Sequence, residues 1–132
     1  MKNVFFMLAL IIGLSSCSKD LDMAFKTNSK WVLSEWPGKT IPPIAQATLN
    51  INDGNKIGGK SFCNTYGGSA TFNGNALQFS QIFGTKMYCT EVADAETKFL
   101  DDLQAVNAGN VDGSKLTLMK DGVVLMVFKK VD

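Results

Sequence analysis

Apolar and polar residues alternate along much of the chain after residue 30. Between residues 47 and 52, Ala47, Leu49 and Ile51 fall on one face and polar side chains on the other. This period of two predicts a half-buried β-strand. Comparable stretches lie at 31–36, 56–62, 68–72, 76–79, 115–120 and 123–130. About seven to nine short strands at this spacing predict a mainly β (α+β) fold, a small antiparallel sandwich or barrel-like domain.

Two of the connections between these stretches have the composition of tight hairpin turns. They are Asn73-Gly74-Asn75 and Asp121-Gly122. Asn, Asp and Gly adopt positive φ more readily than other residues, as two-residue hairpin turns require. We therefore expect antiparallel neighbours on either side of each turn.

A helical period replaces the alternation between Glu91 and Val106. Apolar residues recur there at intervals of three and four, which is the pattern of one face of an α-helix. The residues of this face are Val92, Ala95, Phe99, Leu103 and Val106. The sequence therefore predicts one amphipathic helix whose apolar face packs on the sheet.

Polar residues and glycine supply the expected ends and outer face of this helix. Thr90 is a suitable N-cap, and Gly109 suits the C-terminal end. The charged residues expected to face solvent are Glu91, Asp94, Glu96 and Lys98.

The N-terminus has the pattern of an export signal. Lys2 precedes an apolar run from Val4 to Leu14, which is too short to cross a bilayer core of about 30 Å but typical of a signal peptide. The run ends in Leu-Ser-Ser-Cys at residues 14–17, which resembles the lipobox of bacterial lipoproteins. On that interpretation residues 1–16 are removed and Cys17 is acylated; the alternative is an ordinary secretory peptide.

Residues 17–29 are then predicted to be a lipidated tether, and residues 30–132 the folded domain. Losing Lys2 leaves 12 lysines against 12 acidic residues. A body without net charge is weakly attracted to anionic headgroups, so the lipid must hold it at the membrane. The expected location is the bacterial cell envelope, lipid-anchored in the outer membrane. The periplasmic face and the cell surface both stay open, because the acidic SKDLD segment (18–22) resembles some surface-export signals.

Two cysteines remain after Cys17 is assigned to the lipid. In an oxidising compartment Cys63 and Cys89 are expected to form a disulfide. Two free buried thiols and a redox pair are the alternatives, although C-x-x-C spacing is absent.

Residues 54–61, GNKIGGKS, satisfy the phosphate-loop pattern G-x-x-x-x-G-K-[ST]. A phosphate loop requires a buried strand before it and a helix directly after it. Here a polar turn precedes the string, and β-type alternation with consecutive glycines follows it. We expect no nucleotide site, and we expect the glycines to mark a hairpin turn and a strand bulge.

Composition removes several classes of chemistry. All 13 basic residues are lysines, and histidine is absent. Without arginine the chain lacks the bidentate group that reads bases and phosphates, so no nucleic acid partner is expected. Without histidine it lacks the usual general base and a common metal ligand. We predict no catalytic residues, no metal, no cofactor and no enzyme, with a Ser-Lys dyad as the open alternative.

Aromatic residues are the remaining candidates for recognition, because Trp and Tyr combine a large apolar area with a polar tip. The candidates are Trp31, Trp36, Tyr66, Phe83 and Tyr88. Trp31 is in phase with Leu33 and is expected in the core, whereas the position of Trp36 stays open.

Several short motifs follow one another in order over residues 30–130. They are Trp31 with Leu33; Gly59, Cys63, Asn64, Tyr66 and Gly68; Thr85, Met87 and Cys89; Glu96, Phe99 and Leu100; and a final hairpin with Leu116, Leu118, Gly122, Leu125 and Phe128. In this order they resemble the META/HslJ-like domain family. Phe128 lies one residue late, which leaves the register of the last strand open.

The resemblance implies a small, mainly antiparallel β barrel-like domain with one helix. Such domains occur in envelope lipoproteins associated with heat shock or stress and with novobiocin tolerance. The family has no established catalytic residues, so the resemblance implies a non-enzymatic function. The family-motif residues carried over are Trp31, Gly59, Asn64, Tyr66, Gly68, Thr85 and Met87.

The predicted function is a lipid-anchored stress-tolerance or protein-interaction module, with an envelope protein or a small ligand as partner. Two alternatives stay open. One is a protein inhibitor of a cell-wall hydrolase, and the other is a barrel that carries a small ligand in its interior.

Overall fold

A computed structural model describes residues 18–131, with side chains from residue 21 onward. Eight antiparallel strands form a closed barrel in chain order. They are β1 (Ser29–Glu35), β2 (Thr48–Asn52), β3 (Lys56–Ser61), β4 (Asn64–Asn73), β5 (Ala76–Gly84), β6 (Ala108–Asp112), β7 (Lys115–Lys120) and β8 (Val123–Val131). Helix α1 (Ser18–Lys26) precedes the barrel, and α2 (Ala93–Ala105) lies between β5 and β6. Cys17 and the predicted signal peptide, residues 1–16, lie outside the described residues.

The predicted mainly β barrel with one main helix is confirmed. Leu49 and Ile51 of β2 are buried, as the alternation predicts, and Trp31 of β1 is only 1% exposed. The turn at 121–122 joins β7 to β8, with both of its residues at positive φ. Inward-facing side chains of the strands and of both helices form one continuous core, so the barrel is filled by its own residues.

Helix α2 carries the predicted apolar face, but its ends differ from the prediction. It starts after Val92, so Thr90 is not its N-cap. Gly109 lies in β6 and not at the helix end; a Cβ there would be 2.8 Å from Leu77 Cδ2. The sequence pattern misses β6 because glycine is one of its inward-facing residues, which hides the alternation.

Residues 18–26, expected to belong to a solvated tether, instead form α1. Leu21, Ala24 and Phe25 lie on one face of this helix and are buried, because spacings of three and four bring residues together on a helix. The Phe25 ring stacks on Phe72 at a centroid distance of 4.8 Å. α1 therefore extends the folded domain toward the N-terminus. Neither helix of the described region is long and apolar enough to cross a bilayer.

The phosphate-loop-like string lies in a β-hairpin. Gly54, with φ of 71°, is in the turn between β2 and β3. Residues 56–61 form a strand, and another strand, β4, follows where a phosphate loop needs a helix. Gly59, with φ of 150°, is not a bulge. Pairs on both sides of it keep one register, from Asn50 with Gly58 to Ala47 with Ser61.

The seam between β5 and β6 is the narrowest in the barrel. The two strands share a single register pair, Ala76 with Ala108, next to a hydrogen bond from Leu77 N to Asn107 O. Beyond Leu77, the rest of β5 pairs with β4 on one side but with no described strand on the other. Helix α2 packs beside this part of β5.

Candidate functional site

Asn64 is the centre of a buried hydrogen-bond network at the start of β4. Its Oδ1 accepts hydrogen bonds from Thr85 Oγ1 at 2.9 Å and from Met87 N at 2.8 Å. Its Nδ2 donates to Met87 O at 3.0 Å and to both Glu96 carboxylate oxygens, at 2.8 and 3.0 Å. The amide therefore joins β4, the segment after β5, and α2.

Glu96 is buried, at 9% exposure, and the prediction that it faces solvent is wrong. It lies three residues before Phe99 and seven before Leu103, on the face of α2 that contacts the barrel. Besides the bonds from Asn64, its Oε1 accepts one from Ser61 Oγ at 2.8 Å. A buried carboxylate requires such donors, because the apolar interior solvates the charge poorly.

The predicted disulfide between Cys63 and Cys89 is present, with 6.0 Å between the Cα atoms. It links the residue before β4 to the segment between β5 and α2. The rim loop, residues 85–92, is thus attached to the barrel by Asn64 near its start and by the cystine near its middle.

Gly59 and Tyr66 meet at the carbonyl of Thr48. A Cβ on Gly59 would overlap this carbonyl, and the Tyr66 hydroxyl donates a hydrogen bond to it at 2.6 Å. Burial raises the pKa of the Tyr66 phenol, because the apolar surroundings disfavour phenolate, so the hydroxyl keeps its donor proton.

Gly68 stands opposite a bulge in β5. The register between the two strands shifts here, and Gln81 of β5 has φ of 55°. A Cβ on Gly68 would lie 2.9 Å from Ile82 Cδ1 and 3.0 Å from Ser80 O. The glycine therefore makes room for the bulge that turns the end of β5 toward the rim loop.

An open cleft of about 670 Å³ lies between the end of β5, the rim loop and α2. Leu100 and Glu96 line its helical wall. At its edge, Phe83 is 70% exposed, Met87 64% and Tyr88 80%. These three residues, which we call the apolar rim, all line this cleft.

The sequence and the fold are both similar to those of known proteins. The sequence profile of the META domain matches residues 23–132. The chain belongs to the META domain family. An NMR structure of a protein from Burkholderia xenovorans is similar, with 21% sequence identity, 99% of each chain covered and a TM-score of 0.74. A second NMR structure has 17% identity and a TM-score of 0.61, and covers 76% of this chain and 87% of its own.

At these identities the two solved structures support the fold alone. No curated protein matches the chain. The start of the META match at residue 23 falls inside α1, consistent with the buried face that this helix contributes to the domain.

The structure of this META domain explains why its motifs are spread along the chain. Asn64, Thr85, Met87 and the two cysteines converge on the rim loop. Gly59 and Tyr66 meet beside it, and Gly68 shapes the strand that leads to it. Trp31 is elsewhere in the core, where its Nε1 donates to Ser29 Oγ at 2.9 Å.

The late position of Phe128 follows from a bulge in β8. Leu118 pairs with Met126, whereas Met119 pairs with Val124, so one extra residue is accommodated between them. Beyond the bulge, Phe128 pairs with Leu116 and points into the core. The insertion shifts the motif by one residue without moving its side chain out of the barrel.

The aromatic candidates divide into two groups. Trp31, Trp36 and Tyr66 are buried, whereas Phe83 and Tyr88 are exposed on the rim. Trp36, which sequence left open, donates from Nε1 to Asp102 Oδ2 at 2.9 Å. Of the aromatic candidates, then, only the rim pair is available to a partner.

Sequence reasoning missed Ser61 and the buried role of Glu96. A usable signal was present, since Glu96 falls within the apolar face of α2. The described residues hold no group of three His, Cys, Asp or Glu side chains able to bind a metal. What the site offers chemically is a rigid apolar surface around a cleft.

Proposed function

We propose that this META domain is a non-enzymatic, lipid-anchored binding module of the bacterial envelope, which contacts a partner protein through the apolar rim. The observation that carries the proposal is the exposure of Phe83, at the end of β5, and of Met87 and Tyr88, on the rim loop that is attached to the barrel. The stress- or antibiotic-tolerance role implied by the family resemblance would be exerted through that contact.

Exposed apolar clusters mark interaction sites, because leaving such area in water gives up the free energy of burial. Tyr and other aromatic residues contribute strongly to interfaces when a partner covers them. The bonds from Asn64 to Met87 and the disulfide hold the rim before any partner arrives. Preorganisation of this kind lowers the ordering cost of association.

The filled interior argues against the alternative of a ligand carried inside the barrel. Phe99, on α2, packs against the rings of Tyr66 and Phe128, with centroids 5.8 and 6.3 Å apart. In the other alternative the partner protein is a cell-wall hydrolase, which the experiment below would also detect.

Photocrosslinking tests the rim. A photoreactive phenylalanine analogue is placed at position 83 or 88 of the full-length protein, in bacterial cells that express it, and cells are irradiated. Because both side chains face the proposed partner, we expect a discrete adduct, at least about tenfold stronger than from position 123. Val123 is a matched control, since it is 63% exposed but lies in the β7–β8 hairpin.

A substitution in the apolar rim provides a second test of the proposed contact. Phe83→Ser in a chain carrying the probe at position 88 should remove most of the adduct, while the unfolding free energy changes by less than about 1 kcal/mol because the side chain is exposed. Equal adduct yield from positions 83, 88 and 123 would contradict the proposal.

The lipid anchor is a separate part of the proposal, supported by the apolar run at residues 4–14 and by the residues before Cys17. Mass spectrometry of the native protein should show an N-terminal Cys17 carrying acyl chains. Cys17→Ala should move the protein from the membrane fraction to the released fraction, since the lipid would be its main hold on the membrane. An unmodified Cys17 at an internal position would reject the anchor and leave the rim unaffected.

A further inference from the structure

The inner wall of the cleft is an unpaired strand edge. β5 continues for seven residues beyond Leu77 without a described partner on the side of β6. Ser80, Gln81, Phe83 and Gly84 in this part of the strand are exposed. An unpaired edge leaves backbone N–H and C=O groups available to another extended chain.

Helix α2 forms the opposite wall of the cleft. Ala93, Thr97 and Leu100 face the cleft together with Ile82 and Gly84. Small and apolar residues thus share the lining with polar ones, among them Asn64, Glu96 and Gln104, in a channel bounded by a strand on one side and a helix on the other. Extended peptides bind other proteins in such channels by adding a strand to the sheet.

The bulge in β5 limits which chain can enter. Gln81, at φ of 55°, interrupts the regular edge between Ser80 and Ile82. A bulge prevents long, continuous edge-to-edge pairing. The same edge of a second copy would need that continuous pairing, whereas a short segment needs only the residues after the bulge.

Charge at the rim favours an acidic segment. Lys86 lies in the wall of the cleft and is exposed. The ion pairs among the described residues involve Lys26, Lys39 and Lys98, and none involves Lys86. The Glu96 carboxylate also lines the cleft, but it already accepts hydrogen bonds from Asn64 and Ser61. A carboxylate on the incoming chain would therefore meet the Lys86 ammonium beside the apolar rim.

We propose that the cleft takes a short extended segment of a partner protein, which adds as a strand to β5 at Ile82–Gly84 and places an acidic side chain or a C-terminal carboxylate at Lys86. This inference rests on the proposed function and specifies its partner. Apolar side chains of the segment would pack against Leu100 on one side and the apolar rim on the other.

The test uses a displayed library of random linear octapeptides, selected on the full-length protein, followed by synthesis of the most enriched sequence. Acidic and apolar residues should be enriched. On binding, amide hydrogen exchange at Ile82 and Gly84 should slow at least about tenfold, because the added strand protects the N–H groups that face away from β4. Exchange at residues 117–119, in the middle of β7, serves as the internal control.

Single N-methylation along the peptide identifies the binding mode. In an added strand alternate N–H groups face the neighbouring strand, so methylation at alternate positions should weaken binding at least about tenfold and the intervening positions should tolerate it.

Lys86→Gln should weaken binding about three- to tenfold at low salt, whereas Lys120→Gln, on the exposed end of β7, should have no effect.

The outcomes separate this inference from the proposed function. Uniform tolerance of N-methylation, or no enriched sequence, would overturn strand addition even if positions 83 and 88 crosslink to a protein. Self-association with protection at residues 82–84 would assign a second copy to the edge and also overturn the peptide. If crosslinking at the rim were lost while the octapeptide still bound, only the proposed protein contact through the rim would be overturned, and strand addition would stand.

Discussion

Asn64→Ala should lower the free energy of unfolding by about 3–4 kcal/mol, since it removes the side chain that joins β4, the rim loop and α2. The substitution leaves the Glu96 carboxylate buried with only Ser61 as a side-chain donor. It also leaves Met87 N and O without their side-chain partners. Urea denaturation of the oxidised protein at neutral pH measures the loss.

Asn50→Ala is the matched control for this substitution. Asn50 is a half-buried strand residue in β2 with no side-chain hydrogen bond among the described residues, so a change below about 1 kcal/mol is expected.

In the double variant Asn64→Ala/Glu96→Met, the carboxylate is gone and a side chain of similar length remains. Its loss should be smaller than the sum of the two single losses, because the unpaired buried charge no longer arises. Strict additivity would show that the two side chains act independently.

Removing the disulfide with Cys63→Ala/Cys89→Ala should lower the free energy of unfolding by about 3–4 kcal/mol. The cystine closes a loop with a sequence separation of 26, and a loop of that length restricts the unfolded chain by about this amount on the loop-entropy model. Denaturation with and without reductant measures the effect: the native protein should lose stability on reduction, and the double variant should not respond.

The same variant should loosen the rim loop before it loosens the barrel. Amide hydrogen exchange should accelerate more at residues 86–91 than at residues 117–119, because the cystine attaches the loop, whereas β7 is held by two neighbouring strands. Identical denaturation midpoints with and without reductant would mean that the cystine adds nothing to stability. Equal acceleration at both places would show that it does not hold the loop locally.

These two predictions concern one structural feature, the attachment of the rim loop to the barrel. Asn64 and the adjacent Cys63 both stand where β4 begins, and both reach the segment between β5 and α2. The apolar rim lies on that segment and at the end of β5. Variants of either residue should therefore reduce partner binding as well as stability, whereas Phe83→Ser should reduce binding alone.

Much of the fold could be predicted from local pattern. The alternation at 47–52 and the Asp-Gly turn at 121–122 match the observed strands and hairpin, because burial on one face and positive φ are requirements of neighbouring residues. The apolar face of α2 was predictable for the same reason, since it depends on spacings of three and four residues. The β6 strand was not, because Gly109 faces inward without an apolar side chain and leaves no alternation to detect.

The sequence identified several residues of the candidate site, but it did not predict how their side chains are arranged. Asn64, Thr85 and Met87 stand out as motif residues, yet nothing local says that they bond to one another. The position of Glu96 on the apolar face of α2 indicates burial, but nothing local identifies a hydrogen-bond donor for its carboxylate. The donors are Ser61 and Asn64, which the barrel brings within hydrogen-bond distance of that group.

The sequence by itself determined the fold class, the helix and hairpin positions, and the pairing of two cysteines, since each depends on periodicity, turn chemistry or a small count of residues. Tertiary structure alone decided which distant residues cover the apolar face of α1, which donors meet the Glu96 carboxylate, and that β5 keeps an open edge beside α2. The physical reason is that burial and hydrogen bonding of a side chain depend on which distant segments surround it. Closing the barrel selects those neighbours, and spacing along the chain does not encode them.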